Sequence, residues 1–370
     1  MRGLLPVPAL PPGGARMSPE AAMDIASLTC PLPVTDSPRV LLGHGSGGRM
    51  SANLLQQMFL PRFGNPYLNR LDDQAVLEVG GQRIAFTTDS FVVRPLFFPG
   101  GDIGRLAVNG TVNDLAMGGA RPLFLSAGFI LEEGLPLDDL AAILDSMQAA
   151  CQEAGVLLVT GDTKVVNKGS GDQCFINTAG IGLLEHPWLL SADQAQPGDV
   201  VILSGTIGDH GMAVMSRREG LDFETEIRSD TAPLAGLVAS MLEASHEIRC
   251  LRDPTRGGLA SALNELARAS RVGIEIDEER VPIHPAVHAA CELLGIDPLY
   301  VANEGKLVGI VGAADADVII DRMRRHPLGS EGSVIGRVTE RHPKMVVMRT
   351  RIGGSRVVDL HSGELLPRIC

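Results

Sequence analysis

The chain has 370 residues, 45% of them hydrophobic and 21% charged, and a formal net charge of -12. This length suits two domains of ordinary size, and no uninterrupted apolar run reaches membrane length. The acidic balance argues against nucleic-acid binding, whose affinity comes largely from clustered Lys and Arg, so we expect neither nucleic acid nor a membrane as a partner.

Six cysteines lie at positions 30, 151, 174, 250, 291 and 370, and none forms a CxxC pair. Such spacing is typical of reduced, mostly buried thiols and not of a zinc site. The first residues contain no compact basic-then-apolar segment of the kind that directs secretion. We therefore expect a cytoplasmic protein.

The first 38 residues are rich in Pro, Ala and Ser and lack periodicity, so we expect a disordered extension over 1–38. A short strand is predicted over 39–42, before a glycine-rich run at 43–48. Apolar residues at helical spacing between Met50 and Phe59 predict a helix directly after this run.

The next segments predict a sheet with helices. Strands over 75–79 and 83–88 form a hairpin, and Asp102 is expected to cap a helix that continues to Ala116. A helix over 137–154 is flanked by strands predicted at 123–131, 157–160 and 175–184. These elements make up an N-terminal domain over 39–190.

A turn-rich break at 194–199 precedes an apolar strand over 200–203 and marks the domain boundary. The further predicted strands cover 272–276, 306–311, 333–339 and 344–349. The further predicted helices cover 231–246, 258–270, 285–294 and 315–325. This order predicts an α+β fold of two α/β domains, in which antiparallel sheets carry helices on one side. We expect a C-terminal domain over 191–360 and a flexible tail over 361–370.

Aspartates stand at or beside a predicted turn or helix in four segments of the first half: Asp72-Asp73, Asp89, Asp114 and Asp162. Two carboxylates about 4 Å apart repel by about 1 kcal/mol in water and about 4 kcal/mol at an effective dielectric of about 20, so a cluster requires protons or a metal. Mg²⁺ with a phosphate-bearing ligand suits such oxygen donors. The alternative is that each aspartate is only a turn former or a helix cap.

No GxxxxGK[ST] motif is present, so a P-loop cannot hold the phosphates of a nucleotide. The run at 43–48 matches GxGxxG through Gly43, Gly45 and Gly48. A hairpin follows it in place of a parallel βαβ unit, which favours a mobile glycine loop over a dinucleotide-binding turn. A dinucleotide-dependent oxidoreductase therefore ranks last among the functions considered.

Two glycine-rich segments of the second half, 204–211 and 253–258, each run into a predicted helix. Helix N-termini attract anions, and Arg256 beside one of them could bind phosphate bidentately. The alternative is that both segments are ordinary turns. Taken singly, Glu304 and Lys164 are more typical of solvated surface charges than of catalytic groups.

The last residue, Cys370, ends the proline-bearing tail 361–370. Fully extended, this tail could span about 33 Å, enough to carry the thiol into a cleft of its own protein or of a partner. The alternative is an accidental surface cysteine. A prenylation box would need its cysteine four residues from the end, which excludes that modification.

Read in order, these segments resemble the HypE family of hydrogenase maturation proteins, within the superfamily of ATP-dependent enzymes that includes aminoimidazole ribonucleotide synthetase and selenophosphate synthetase. The resemblance covers about 39–370 and is carried by the segments 45–48, 87–90, 109–116, 161–166, 208–211, 253–258, 303–305 and 367–370. The terminal tetrapeptide distinguishes this family from its relatives.

The resemblance implies that HypF transfers a carbamoyl group to the Cys370 thiol and that this chain then uses ATP to dehydrate the thiocarboxamide to a thiocyanate. The cyano group would pass to the iron held by a HypC–HypD pair, as the cyanide ligand of NiFe hydrogenase. The resemblance further implies Mg²⁺ as a cofactor and a homodimer that pairs through its N-terminal domains.

The match to the superfamily pattern also implies site residues. The implied metal ligands are Asp73, Asp89, Asp114 and Asp162, with Asp72 as the residue most easily confused with Asp73. The implied nucleotide-site residues further include Asn109, Asp209, Arg256, Gly45, Gly47 and Gly48. We expect catalysis to rest on Cys370, on Glu304 as proton acceptor and on Lys164, which would orient the amide or assist.

Two other functions remain open. One is a different reaction of the same superfamily, such as phosphorylation of a small molecule or activation of another amide. A selenophosphate-type reaction would require a reactive Cys in the glycine loop, where this chain has Ser46. The other is a non-enzymatic scaffold that presents Cys370 to a partner or a metal.

Overall fold

The computed structural model describes residues 38–220, 226–361, 363 and 368–370. The predicted extension over 1–38, apart from its last residue, lies outside the described residues. Half of the predicted flexible tail, residues 362 and 364–367, also lies outside them. Within the described ranges, no helix is both long enough and apolar enough to span a lipid bilayer.

The described chain begins with helical turns. A 3-10 helix at Leu42–Gly45 replaces the strand predicted over 39–42, because the side chains of His44 and Ser46 hydrogen-bond to the backbone of this turn. The predicted helix then follows as α1 (Arg49–Leu54), a π-helical turn (Leu55–Phe59) and α2 (Leu60–Phe63).

The first half folds around a five-stranded sheet. In chain order it contains β1 (Ala75–Val79), β2 (Gln82–Phe91), β3 (Phe97–Phe98), β4 (Gly101–Asp102), α3 (Ile103–Met117), β5 (Arg121–Glu132), α4 (Leu137–Ala154), β6 (Leu157–Val166) and β7 (Cys174–Leu183). The sheet has the order β1-β2-β7-β5-β6, and β3 pairs with β4 separately. Its pairs are antiparallel as predicted, except that β5 and β6 run parallel because α4 crosses between them.

The helices of this half cover one face of the sheet. Helix α3 starts at Asp102, whose carboxylate accepts hydrogen bonds from two backbone N–H groups, as predicted. Helices α3 and α4 pack on the face that buries Phe91, Leu125 and Ile176. The opposite face, which we name the open sheet face, carries a cross-strand row of apolar side chains that are between 39% and 64% exposed: Phe86, Ile181, Phe124 and Leu157.

The second half folds around a seven-stranded sheet. In chain order it contains β8 (Val200–Leu203), α5 (Asp209–Glu219), α6 (Ala235–Ala244), β9 (Ile248–Arg252), α7 (Gly258–Ser270), β10 (Gly273–Asp277), α8 (Pro285–Leu294), β11 (Val308–Val311), α9 (Ala316–Arg324), β12 (Ser333–Thr339), β13 (Val346–Arg349) and β14 (Ser355–Val358). The sheet has the order β14-β13-β10-β12-β8-β11-β9, in which β10 and β13 run parallel. The prediction lacked β9 and β14, two short strands that contain arginine among their apolar residues.

Helices cover the second sheet on both faces. Helix α7 packs on the face that carries Val201 and Leu203, whereas α6 and α9 pack on the face that carries Ile202. The prediction of helices on one side therefore holds for the first sheet but not for the second, in which the central strand β8 is buried on both sides.

The two halves meet along α3. The Asn113 side chain donates from Nδ2 to the backbone oxygens of Ala232 and Glu304, and its Oδ1 accepts a hydrogen bond from the backbone N–H of Leu234. These bonds hold the loop that carries Glu304 against α3. The neighbouring residue on α3 is Asp114, so the junction brings acidic groups of both halves close together.

Candidate active site

Three carboxylates from three separate elements form a cluster at this junction. Asp73 precedes β1, Asp114 lies in the last turn of α3, and Asp253 follows β9. One oxygen of each lies within 4.8 Å of the others. The Thr87 hydroxyl on β2 lies 2.8 Å from Asp114 Oδ2 and 2.8 Å from the backbone oxygen of Asp73, which fixes two of the three in place.

Burial makes it unfavourable for these carboxylates to be charged together. It raises the pKa of Asp73 to about 6, against the opposing charge of the Arg252 guanidinium 3.1 Å away. Burial also raises the pKa of Asp114 and of Asp253 well above the usual range, and neighbouring carboxylates raise both further. The cluster therefore requires protons or a cation for neutrality.

The donor set fits a hard divalent cation such as Mg²⁺. Carboxylate oxygens are the ligands that Mg²⁺ prefers, and it usually binds few protein carboxylates together with phosphate oxygens and water. Beside the cluster lies an open cavity of about 260 Å³, whose other wall is formed by the glycine loop and by the turn before α7. The cavity leaves room for phosphate oxygens next to the carboxylates.

Asp253 was not among the predicted ligands. It completes the cluster with Asp73 and Asp114, two residues that were predicted. The signal that could have revealed it is its position directly after a buried strand, β9, which the prediction lacked.

Asp89, Arg256 and the glycine loop line the same cavity. Asp89 Oδ1 accepts a hydrogen bond of 2.7 Å from the backbone N–H of Ser90 and lies 3.8 Å from Arg256 Nη2. Arg256 Nη1 donates to the Gly45 oxygen at 3.3 Å, so the guanidinium joins the loop to the aspartates. At Gly47, with φ +74, a Cβ atom would lie 2.5 Å from the Arg256 backbone oxygen, so this close contact requires glycine.

Cys370 and Glu304 lie together at the edge of this cavity. Both residues are buried, and the Glu304 carboxyl group is close enough to act on the Cys370 thiol. Burial raises the pKa of the Cys370 thiol well above its ordinary value, and the charge of Glu304 adds to that rise. Burial also raises the pKa of Glu304, with further contributions from Asp253 and Asp89. Both shifts show that the surroundings disfavour negative charge on either group.

Within a single chain, Asp162 and Lys164 lie away from this cavity. They lie on β6, are 67% and 70% exposed, and pair with each other at 2.7 Å. Asp89 lies in a cross-strand row with Gly161, three strands away, which corresponds to about 14 Å at about 4.8 Å per strand. Asp162, the next residue, points to the opposite side of the sheet, since neighbouring strand residues alternate.

Three other residues named from the sequence lie outside the cavity lining, two of them buried and Asp72 half-buried. Asn109 donates from Nδ2 to the Thr231 hydroxyl at 3.2 Å. Asp209, in the first turn of α5, accepts a hydrogen bond of 2.5 Å from the Thr206 hydroxyl. Asp72 accepts hydrogen bonds from the Ser191 hydroxyl and the Ala192 backbone N–H, so Asp73 and not Asp72 belongs to the cluster.

Two family models match the chain. The N-terminal domain of AIR synthase related proteins matches residues 71–184, and their C-terminal domain matches residues 196–348. Carbamoyl dehydratase HypE of Cupriavidus necator is 56% identical, over 90% of this chain and 95% of that protein. The Escherichia coli K12 protein of the same name is 45% identical, over 90% of this chain and 99% of that protein.

Solved structures of HypE proteins are also similar to this chain. The structure of a HypE–HypF complex contains a chain that is 52% identical, with a TM-score of 0.80 over 83% of this chain and 99% of that one. A structure of HypE in complex with ATP is 47% identical, with a TM-score of 0.76 over 90% of this chain and 100% of that one.

Proposed function

Because the chain belongs to the HypE family of carbamoyl dehydratases, we propose that it uses ATP to convert an S-carbamoyl group on its own Cys370 into an S-cyanate. One observation carries the proposal: the buried Cys370 thiol lies against Glu304 at the edge of the cavity that holds the carboxylate cluster. A carbamoyl group on this sulfur would lie between a proton acceptor and a site suited to nucleotide phosphates.

The difficulty of the reaction is the amide oxygen, which is a poor leaving group. Transfer of the terminal phosphoryl group of ATP to that oxygen releases ADP and makes phosphate the leaving group. The carbon–oxygen bond then breaks, phosphate departs, and the nitrogen loses two protons as the carbon–nitrogen triple bond forms. The net change is the loss of one water from the thiocarboxamide at the expense of one ATP.

The residues of the cavity take distinct roles in this proposal. Asp73, Asp114 and Asp253, with Asp89 beside them, would hold Mg²⁺, which when bound neutralises charge on the phosphates. Arg256 and the loop over 45–48 would contact the phosphate oxygens. Glu304 would accept a proton from the amide nitrogen, and its burial keeps water away from the activated amide.

Residues outside the cavity enter the proposal differently. Asn109 and Asp209, which the sequence assigned to the nucleotide, would instead support the surrounding loops through Thr231 and Thr206. Asp162 and Lys164 would act from a second copy of the chain, in a homodimer that pairs through the open sheet face. Their exposure and the apolar row on that face support this assignment.

The proposal includes partners and a location. HypF would supply the carbamoyl group, which the structure of a HypE–HypF complex in a relative supports. A HypC–HypD pair would accept the cyano group for the iron of NiFe hydrogenase. All of these steps would take place in the cytoplasm.

The test is mass spectrometry of the intact protein after incubation with HypF, carbamoyl phosphate and ATP. We expect a carbamoyl adduct that loses the mass of one water only when ATP can be hydrolysed. Cys370→Ala should give no adduct, whereas the matched control Cys151→Ala should behave like the wild type. No adduct in the presence of demonstrably active HypF would overturn the proposal, and ATP consumption without an adduct would indicate phosphorylation of a small molecule.

A further inference from the structure

The last three residues of the chain are held by backbone contacts outside the carboxylate cavity. The Val92 and Arg94 N–H groups donate to the backbone oxygens of Cys370 and Arg368, at 3.2 and 3.1 Å. The Arg218 side chain, at the end of α5, donates to the Arg368 oxygen at 2.6 Å. These contacts reach only main-chain oxygens, so they would hold a tail of almost any sequence.

His210 makes a contact of the same kind. Its Nε2 lies 2.8 Å from the Ile369 oxygen, and its Nδ1 lies 2.8 Å from the Ser229 hydroxyl. A carbonyl oxygen can only accept, so the Nε2 carries the hydrogen and the Nδ1 accepts from Ser229. Burial lowers the pKa of His210, which keeps the ring neutral in this arrangement. The histidine thus adds another contact to the main chain of the tail.

One contact recognises a side chain of the tail. Arg368 Nη1 lies 2.8 Å from both carboxylate oxygens of Asp172, a residue of the loop between β6 and β7. Both side chains are partly buried, at 38% and 21% exposure. Arg94 Nη1 approaches the same carboxylate at 3.4 Å, so Asp172 stands between two guanidinium groups.

The backbone at Arg368 makes this contact important for the docked state. Arg368 has φ 52, in the left-handed region that costs a non-glycine residue about 1 kcal/mol. Contacts that exist only in the docked tail must offset this cost. The ion pair with Asp172 is one such contact, and it is the one that depends on the identity of the tail residue.

We infer that Asp172 is a positioning residue: by pairing with Arg368 it sets the fraction of time that Cys370 spends docked beside Glu304. The inference rests on the proposed function, in which the thiol must be docked for dehydration and undocked to receive its carbamoyl group. A docked Cys370 is 7% exposed and cannot meet an external donor. A stronger ion pair therefore favours dehydration, and a weaker ion pair favours carbamoylation.

The direct test is the rate at which a neutral maleimide alkylates Cys370, measured by peptide mass spectrometry without ATP or HypF. Asp172→Asn should raise this rate about 5-fold, the factor that corresponds to the loss of about 1 kcal/mol. Asp172→Glu should restore the wild-type rate. Asp145→Asn, the same change on the exposed side of α4, is the matched control and should leave the rate unchanged.

Two further variants separate recognition from folding. Arg368→Gln removes the pair from the tail side, where the substitution cannot unfold the domain, and should raise the rate as much as Asp172→Asn. The double variant Asp172→Asn with Arg368→Gln should raise the rate no further than either single variant, because both substitutions remove the same pair. Buried Cys250 and Cys291 should stay unreactive in every variant, as they would not if the fold had opened. Unchanged alkylation in both single variants, or additive increases in the double variant, would overturn the inference.

The outcome is separable from that of the proposed function. Alkylation requires no catalysis, so a faster reaction in Asp172→Asn with no dehydration in the wild type would keep the positioning role and reject the dehydratase. Dehydration in the wild type, with no change in alkylation in Asp172→Asn, would keep the dehydratase and reject the positioning role. Where both hold, Asp172→Asn should lower the dehydration rate while carbamoylation by HypF becomes no slower.

Discussion

Single carboxylates determine the electrostatics of the cavity. Asp73, Asp114 and Asp253 place oxygens within 4.8 Å of one another in buried surroundings, where each added negative charge costs more than in water. Arg252 contacts Asp73, but at 2.9 Å it also pairs with Glu265, so its charge is shared. The cluster is therefore neutralised by protons at low pH and requires a cation at higher pH.

We expect Mg²⁺ to stabilise the protein more at about pH 7.5 than at about pH 5.5. Burial raises the pKa of Asp73 from 3.8 to about 6. At a pH between these two pKa values, the folded protein therefore binds more protons than the unfolded chain. Without metal, this group's contribution to stability is present at low pH and is lost as pH rises through about 6. Mg²⁺ replaces the proton, so its binding strengthens as Asp73 ionises, and the melting temperatures with and without Mg²⁺ should separate by several degrees at the higher pH.

Two neutralising substitutions control this measurement. Asp253→Asn should abolish the effect of Mg²⁺, because it removes one oxygen ligand of the cluster. Asp72→Asn should retain the effect, because Asp72 hydrogen-bonds to Ser191 and Ala192 outside the cluster. An equal Mg²⁺ effect at both pH values in the wild type, or its survival in Asp253→Asn, would contradict the assignment.

Most of the carboxylates that line the cavity were predicted from the sequence, but not all of them. Asp73, Asp89 and Asp114 were expected together and line one cavity. Asp253 was not expected as a ligand, because an aspartate before a proline is typical of a turn and its strand was not recognised. Asp162 lies outside the cavity of its own chain, and a linear pattern does not reveal this because it does not show which face of a sheet a residue occupies.

Among the elements, the first sheet has a feature that a single chain leaves unexplained. β6 is an edge strand with Leu157, Leu158 and Val159 exposed, and the apolar row of the open sheet face ends on it. An exposed edge and an apolar face together favour association with another surface. A second copy of the same face supplies a self-complementary partner under twofold symmetry.

We expect the wild type to be the proposed dimer and Phe124→Glu to be a monomer. Phe124 lies in the middle of the apolar row and is 42% exposed in one chain, so a charge there is tolerated in the monomer but is costly once another apolar face covers it. Size-exclusion chromatography with light scattering should show half the wild-type mass. Leu293→Glu, at an exposed apolar position on α8, is the control and should leave the mass unchanged. A dimeric Phe124→Glu protein with wild-type affinity would place the interface elsewhere.

Elements with a clear period were predicted closely, and those without one were not. The helices over 137–154, 258–270 and 285–294 agree with α4, α7 and α8 residue for residue, because each has an apolar face and a defined end. β14 was missed because its four residues, mostly exposed, give too short a pattern. The parallel pairing of β5 with β6 depends on how α4 crosses the sheet, which no local pattern encodes.

Over the whole molecule, the site depends on contacts between distant parts of the chain. Cys370 meets Glu304 from the second half and lies near Asp89 from the first, so the end of the chain closes against both. The entropic cost of closing such loops grows only slowly with their length. The sequence suggested that the tail could reach a cleft, but the contacts that hold it there come from four separate segments and are not visible in any one of them.

The proposed contribution of a second copy can be tested by mixing two inactive variants. Lys164→Ala and Glu304→Gln should each be inactive alone as homodimers. If Lys164 acts on the cavity of its partner, a mixed dimer has one cavity with both an intact Glu304 and an intact Lys164, and one cavity with neither. Random reassociation of equal amounts should then recover about a quarter of the wild-type dehydration rate per site, since half of the dimers are mixed and each has one working cavity. If Lys164 acted within its own chain, every cavity of the mixed dimer would lack one group and no activity would return. Mixing two preparations of the same variant controls for reassociation itself, so recovery confined to the mixed pair would assign the exposed lysine on β6 to the cavity of the other subunit.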